Sequence, residues 1–237
     1  MFDQGYYKRG GFLIGSDEVG RGCLAGPLVC CSALVGQDGD TLNILKALEK
    51  VGIKDSKRIS PKGLKLIVSS LFEDKLESII QGAIISRSCN RYYLIDSSVG
   101  LKCCLAVISP SFIDRKNILN ASLFGMRRSG EKLLSGKGSH SGVWLVDGNK
   151  VWAGKKPERL QVIPVISGDS KSLLIGAASV VAKVFRDSLM VRLSAKYPNY
   201  AFEAHYGYPT QKHRLALKNF GPSPIHRYTF QGVTSLK

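Results

Sequence analysis

The feature that most limits the fold is a repeated pattern, in which short apolar runs end on, or just before, an acidic residue. Residues 12–16 run into Asp17, the segment Val143-Trp144-Leu145-Val146 runs into Asp147, and residues 160–166 lead through Ser167-Gly168 to Asp169. Apolar runs of about four to eight residues, bounded by turn residues, read as strands buried on both faces. Such strands need a sheet covered by helices. Leu28–Val35 and residues 79–85 and 101–108 read as further strands. Ser60-Pro61 marks a helix start, a hydroxyl cap followed by a proline at the first helical position. Leu64, Ile67, Val68 and Leu71 then recur at helical spacing. From Ser111, the residues Ile118, Leu119, Leu123 and Met126 predict one amphipathic helix, with Arg127 and Arg128 favourably placed near its C-terminus. Residues 130–142, rich in Gly, Ser and Lys, read as a loop. A long helix is expected over residues 170–195, with Leu173, Leu174, Ala177, Val181, Val184 and Leu189 as its apolar side and Pro198 closing it. A last short helix is expected over residues 209–219. Strands followed by alternating strands and helices indicate an α/β fold, a mixed sheet flanked by helices. The expected organisation is a catalytic domain over residues 1–197 and a small helical C-terminal appendage over 198–237, packed on the substrate side.

Charge narrows the class of partner. Lys and Arg number 34 against 18 Asp and Glu, a net charge of +16 and a pI near 9.7. A pI above about 9 is the electrostatic footprint of a nucleic-acid binder. No apolar run approaches the ~18 residues of a membrane span. Met1-Phe2-Asp3-Gln4 lacks the basic-then-apolar layout of a signal peptide, so a cytoplasmic protein is expected. The six cysteines contain no C-x-x-C pair and include the doublets Cys30-Cys31 and Cys103-Cys104. They sit among Leu, Val and Ala, as buried free thiols do in a reducing compartment, and support neither a zinc site nor a disulfide framework. A nucleotide-binding loop at residues 130–138 is disfavoured, because Ser135 stands at the required second glycine and Gly138 follows Lys137.

In open α/β sheets the functional crevice lies beyond the carboxyl ends of the strands. Asp17, Asp147 and Asp169 delivered to one such edge repel each other, and a cation relieves that cost. An all-oxygen donor set selects hard ions, Mg²⁺ or Mn²⁺. Glu18 joins only if the chain leaves the sheet at Val19-Gly20, because neighbours in a strand face opposite ways. Asp147-Gly148 and Gly168-Asp169 are also ordinary turn and cap signals. Asp187 competes for the fourth position. It lies about five helical turns, roughly 27 Å, beyond Asp169 if that helix is continuous, and Lys183 stands at the i−4 ion-pair spacing; Asp169 is preferred. Gly20-Arg21-Gly22 lets the backbone approach a ligand closely and offer its amides and carbonyls to a sugar hydroxyl. Lys57 and Lys183 are candidate phosphate contacts. Ser179, His205, His213 and His226 read as structural, since no metal-ligand histidine spacing is present.

The stretches DEVGRGCLAGPLV (17–29), KDSKRIS (54–60), IDRKNIL (113–119), LVDGNK (145–150), SGDSKSLLIGAASVVAKVFRD (167–187), HYGYPTQKH (205–213) and GPSPIHR (221–227) cover much of the chain. In this order they resemble bacterial ribonuclease HII, the type 2 ribonuclease H. The resemblance implies an RNase H-like fold and endonucleolytic cleavage of RNA in RNA–DNA hybrids and at ribonucleotides embedded in duplex DNA. It implies four acidic catalytic and metal ligands, Asp17, Glu18, Asp147 and Asp169, holding two Mg²⁺ or Mn²⁺ ions and leaving 5′-phosphate and 3′-hydroxyl ends. It assigns 2′-hydroxyl contacts to Gly20, Arg21 and Gly22 and a junction-sensing role to Tyr208, with Tyr206 nearby. The expected partner is nucleic acid alone, with no membrane, no inferable protein partner and a monomeric state. The chain departs from the family pattern in extra sequence near residues 88–100, a longer 147–169 connection, and Ser167 where a lysine is common. No substrate-binding domain precedes Phe12, unlike the sister type, ribonuclease HIII. A Holliday-junction resolvase would share the acids but has no use for a 2′-hydroxyl reader. A non-catalytic binding module would explain the charge but not the acids at strand ends.

Overall fold

The computed structural model describes residues 2–7, 11–36, 40–83, 90–136, 141–154 and 159–234, apart from the side chains of Asp55 and Lys57. In chain order its strands are β1 (Phe12–Val19), β2 (Leu28–Val35), β3 (Arg91–Asp96), β4 (Lys102–Ile108), β5 (Gly142–Asp147) and β6 (Leu160–Val165). The helices are α1 (Thr41–Lys50), α2 (Pro61–Phe72), α3 (Lys75–Gly82), α4 (Pro110–Lys116), α5 (Ile118–Leu134), α6 (Gly168–Lys171), α7 (Leu173–Lys196), α8 (Phe202–His205) and α9 (Gln211–Phe220). The sheet order is β3-β4-β2-β1-β5-β6. β2 runs antiparallel to both β1 and β4, whereas β1, β5 and β6 are mutually parallel. The mixed sheet expected from the sequence is therefore present, with helices on both faces.

Alternation along the strands divides the core. Leu13, Val29, Cys31 and Leu145 face one cluster with α7, α2 and α1, while Ile14, Leu28, Cys30 and Trp144 face another with α5. A buried hydroxyl chain ties the second layer together. The Trp144 indole N–H donates to Ser16 Oγ at 2.7 Å, and Ser16, Ser32 and Ser129 follow at 2.6 Å steps. Ser129 donates to the Met126 carbonyl at 2.9 Å, so each hydroxyl of this network has a partner. A third cluster packs Tyr200, Phe202, Leu217 and Ile225 from beyond α7 against Leu24, Ala25 and Met190. The C-terminal segment thus lies beside the loop that follows β1.

Several elements differ from the sequence expectations. Residues 79–82 belong to helix α3 rather than to a strand, because Leu76 and Ile80 share one buried helical face; residues 84–89, including Cys89, lie outside the described residues. The single helix expected from Ser111 is two, broken at Asn117, whose positive φ of 61° ends α4 and whose side chain caps α5. α5 then continues through residues expected to form a loop, with Gly130 flat against the Trp144 ring. The long helix is interrupted at Ser172, giving α6 and α7. α1 and the outer strand β3 went unread; β3 occupies the extra sequence near residues 88–100.

An N-terminal contact, also unread in the sequence, anchors α7. Asp3 is fully buried, and its carboxylate accepts from the Ser172 hydroxyl at 2.5 Å, the Leu173 N–H at 2.8 Å and the Leu174 N–H at 3.5 Å. A negative charge at a helix N-terminus satisfies donors that have no partner within the helix. Replacing a capping carboxylate and stranding its buried donors costs about 1–3 kcal/mol. Asp3→Ala is therefore expected to lower the denaturant midpoint by that amount, with the slope of the transition unchanged.

Candidate active site

Strand register builds the site. The parallel pairing of β1 with β5 matches Ser16 to Val146, so Asp17 and Asp147 leave the same edge side by side. β5 pairs with β6 through Asp147 and Val165, and Asp169 follows in α6. Asp147 is the hub, because its charge acts on Asp17 and on Glu18, and Asp169 acts on it in turn. The chain does not leave the sheet before Glu18. β1 stays paired with β2 through Val19, so Asp17 and Glu18 take opposite faces. Asp17 meets the Ser179 hydroxyl on α7, whereas Glu18 meets Ser122 on α5 and the Arg21 guanidinium, at 3.1 Å. The carboxylates therefore straddle the sheet edge. Among the described residues no three His, Cys, Asp or Glu side chains, as placed, converge on one ion-sized point.

The electrostatics of this edge are unfavourable for the chain by itself. Burial pushes the Asp17 carboxyl well above the usual range, and the charges of Glu18 and Asp147 add to it. Burial likewise raises Glu18, against the pull of Arg21. Asp147 is raised by burial, while the Gly168 N–H at 2.7 Å holds it down and Asp169 pushes it up. Glu18 Oε2 is buried without a hydrogen-bond partner. Repelling carboxylates, an orphaned oxygen and an all-oxygen donor set fit a hard divalent cation.

Beside the acids, two buried arginines hold the loop after β1 by its carbonyls. Arg186 donates to Pro27 at 3.0 Å, Ala25 at 3.2 Å and Tyr206 at 2.9 Å. Arg227 donates to Gly26 at 3.2 Å and Arg21 at 2.9 Å, and its burial, with Arg186 nearby, lowers its pKa to about 9. The rigid guanidinium fork suits this task. Gly20 has a φ of 94°, and a Cβ there would overlap the Arg186 guanidinium. Neither arginine was singled out in the sequence, since a clamp on carbonyls distant in the chain leaves no local pattern.

The remaining candidates surround this loop. The Tyr208 ring is 37% exposed with Arg186 Cζ 5.9 Å from its centre. Lys183 pairs with Asp187 and lies 5.3 Å from the Tyr206 ring centre. Asp187 sits on continuous α7, far along it from Asp169 in α6. A cavity of about 190 Å³, lined by Ser56, Pro61, Asp169, Ser179 and Lys183, adjoins the acids. The Lys57 side chain lies outside the described residues; its neighbour Ser56 lines this cavity. Below Tyr208, His205, His213 and His226 are buried, and burial with mutual proximity lowers His213 to about 4 and His226 to about 3.

A family model described as Ribonuclease HII matches residues 14–233. The Ribonuclease HII of Chloroherpeton thalassium is 33% identical over 230 residues, 97% of this chain and 95% of the relative. The crystal structure of the ribonuclease H2 from Pyrococcus horikoshii OT3 is similar with a TM-score of 0.58 at 24% identity, covering 95% of this chain and 96% of that one. Bst-RNase HIII in complex with Mn²⁺ is similar with a TM-score of 0.58 at 16% identity, covering 96% of this chain and 70% of that one. The structural likenesses establish an RNase H-like fold.

Two measurements follow from these electrostatics. Asp147→Asn keeps an oxygen for the Gly168 N–H but removes the central charge, so in chelator its melting temperature should rise above the wild type's; an unchanged or lower value would contradict the repulsion. The histidines give a pH dependence. The unfolded chain takes up protons below about pH 6.5, while the folded state refuses them until about 4 at His213 and about 3 at His226. Their stabilisation is complete above about 6.5 and is lost as pH falls from there toward those values. The raised carboxylates contribute with the opposite sign as they protonate. The wild type should therefore lose more stability than His213→Asn on acidification, and parallel curves would refute the assignment.

Proposed function

The chain belongs to the ribonuclease HII family, which makes it a ribonuclease H endonuclease acting on RNA–DNA hybrids, and from that premise we propose how its residues divide the work. The observation that carries the reading is Asp147 lying within electrostatic reach of Asp17, Glu18 and Asp169, next to an arginine-clamped glycine loop. Mg²⁺ or Mn²⁺ ions held by Asp17, Glu18, Asp147 and Asp169 would supply Lewis acidity toward the attacking water and the leaving 3′-oxygen. Hydrolysis by water leaves a 5′-phosphate and a 3′-hydroxyl, and the ribose 2′-hydroxyl serves recognition, not attack. That hydroxyl distinguishes RNA from DNA at a given site. Backbone groups of Gly20, Arg21 and Gly22 read it, which makes recognition independent of base sequence. Tyr208 stacks on the neighbouring sugar and favours a deoxyribose there, so single ribonucleotides embedded in duplex DNA are substrates as well as continuous hybrids. Lys57 and Lys183 contact backbone phosphates, Lys183 by exchanging its tie to Asp187.

The test is a duplex carrying one ribonucleotide, incubated with Mg²⁺, Mn²⁺ or EDTA and mapped at single-nucleotide resolution. Cutting beside that ribose in either metal, with a 5′-phosphate and a 3′-hydroxyl, is expected; cutting in EDTA, or equal cutting of all-DNA duplex, overturns the reading. Asp147→Asn should slow turnover about 100-fold or more while hybrid binding persists.

A further inference from the structure

Hydrogen bonds in the C-terminal segment fix the protons of two imidazoles from both ends. The Ser223 N–H donates to His226 Nδ1 at 2.9 Å, and the Ser223 hydroxyl lies 2.8 Å from the same nitrogen. A ring nitrogen that accepts carries no proton, so the neutral His226 has its hydrogen on Nε2. That nitrogen lies 3.0 Å from His213 Nε2. His213 accepts there and carries its own hydrogen on Nδ1, which donates to the Tyr208 carbonyl at 2.9 Å. Because both ends are backbone groups, this is the assignment for neutral rings that satisfies every bond.

The relay ends where the backbone most needs support. Tyr206 and Gly207, with φ of 50° and 84°, turn the chain sharply before Tyr208. The Tyr208 carbonyl also accepts from the Thr210 N–H at 2.8 Å, so the imidazole is its second donor. At the other end, His226 forms an antiparallel bridge with Ala25, in the loop that begins at Gly20. His226 therefore meets the glycine loop through its backbone and, through the His213 ring, the Tyr208 turn. Buried polar rings are costly unless every atom is satisfied. Directional bonds give them what an apolar filler could not provide, a fixed peptide orientation.

We propose that His213 and His226 are specificity-determining positioning residues, a rigid relay that sets the spacing and angle between the ribose-reading loop and the Tyr208 ring. This rests on the reading of Tyr208 and the glycine loop given above. The relay discriminates a lone ribonucleotide, followed by deoxyribose, from a run of ribonucleotides, because both substrate contacts must be met at one separation.

The experiment compares cleavage of a duplex containing one ribonucleotide with cleavage of a continuous hybrid, and takes the ratio. An asparagine amide falls where imidazole Nδ1 lies, whereas a glutamine amide falls near Nε2. His213→Asn keeps the bond to Tyr208 but gives up the one to His226, so the ratio should fall about 10- to 100-fold, the effect of misplacing a contact group. His213→Gln, which keeps a partner for His226 but not for Tyr208, breaks the relay at its other end and should lower the ratio as far. Tyr208→Ala should lower it similarly, and adding His213→Gln to it should change nothing more. A wild-type ratio in either the asparagine or the glutamine variant, with Tyr208→Ala impaired, would overturn the relay and leave the reading of Tyr208 standing. An unaltered ratio in Tyr208→Ala would instead remove that reading, and the relay with it. Nitrogen–proton NMR of the unmodified protein at neutral pH supplies an independent readout, whatever the variants' stability. Hydrogens on Nε2 of His226 and Nδ1 of His213 are expected, and any other tautomer pair overturns the proposal.

Discussion

Like charges held at the edge shared by β1 and β5 are the constraint on which the rest depends. Parallel pairing puts Asp17 beside Asp147 whether or not anything neutralises them, and burial raises the cost of both charges. Such an arrangement persists only in a frame stable enough to bear it. The Trp144–Ser16–Ser32–Ser129 chain lies on the α5 face, one residue before Asp17 in β1, and joins β1, β2, β5 and α5. α7, capped by Asp3, closes the opposite face and brings Ser179 to Asp17. The scaffold and the repulsion belong together: a rigid sheet edge keeps like charges close that a flexible one would let part.

The glycine loop beside that edge is held by a different kind of contact. Arg186 and Arg227 use their donors on main-chain carbonyls of residues 21–27, and Arg186 also holds Tyr206. Buried positive charge beneath a loop raises the electrostatic potential at its surface, in keeping with the basic composition. The same loop touches His226 through Ala25, and His226 touches Tyr208 through His213. Acids, loop and tyrosine thus come from four distant stretches of sequence joined by buried polar groups.

Legibility in the sequence followed the range of the interactions. β1 and β5 were readable because an apolar run ending on an acid is a local pattern, and the Ser60 cap of α2 because hydroxyl and proline are adjacent. The runs around Ile79 and Gly130 misled, because a few apolar or small residues fit strand, loop and helix alike until packing chooses. Leu76 and Ile80 on a common buried face decided the first case, and contact with Trp144 decided the second. Breaks at Asn117 and Ser172 follow from side-chain caps that become visible only once the chain is folded. Glu18 was expected to join Asp17 only if the chain left the sheet at Val19-Gly20, but continued pairing of β1 with β2 puts it on the opposite face.

The sequence by itself determined the sheet, the family and which oxygens crowd the edge shared by β1 and β5, since strand period, turn chemistry and motif order are written in neighbouring residues. The tertiary structure alone decided how those groups are held: the cap from Asp3, the guanidinium clamps on the glycine loop and the imidazole relay beneath Tyr208. Each of these joins atoms far apart in the chain through directional bonds made in the absence of competing water. Such bonds depend on distances that no reading of neighbouring residues contains.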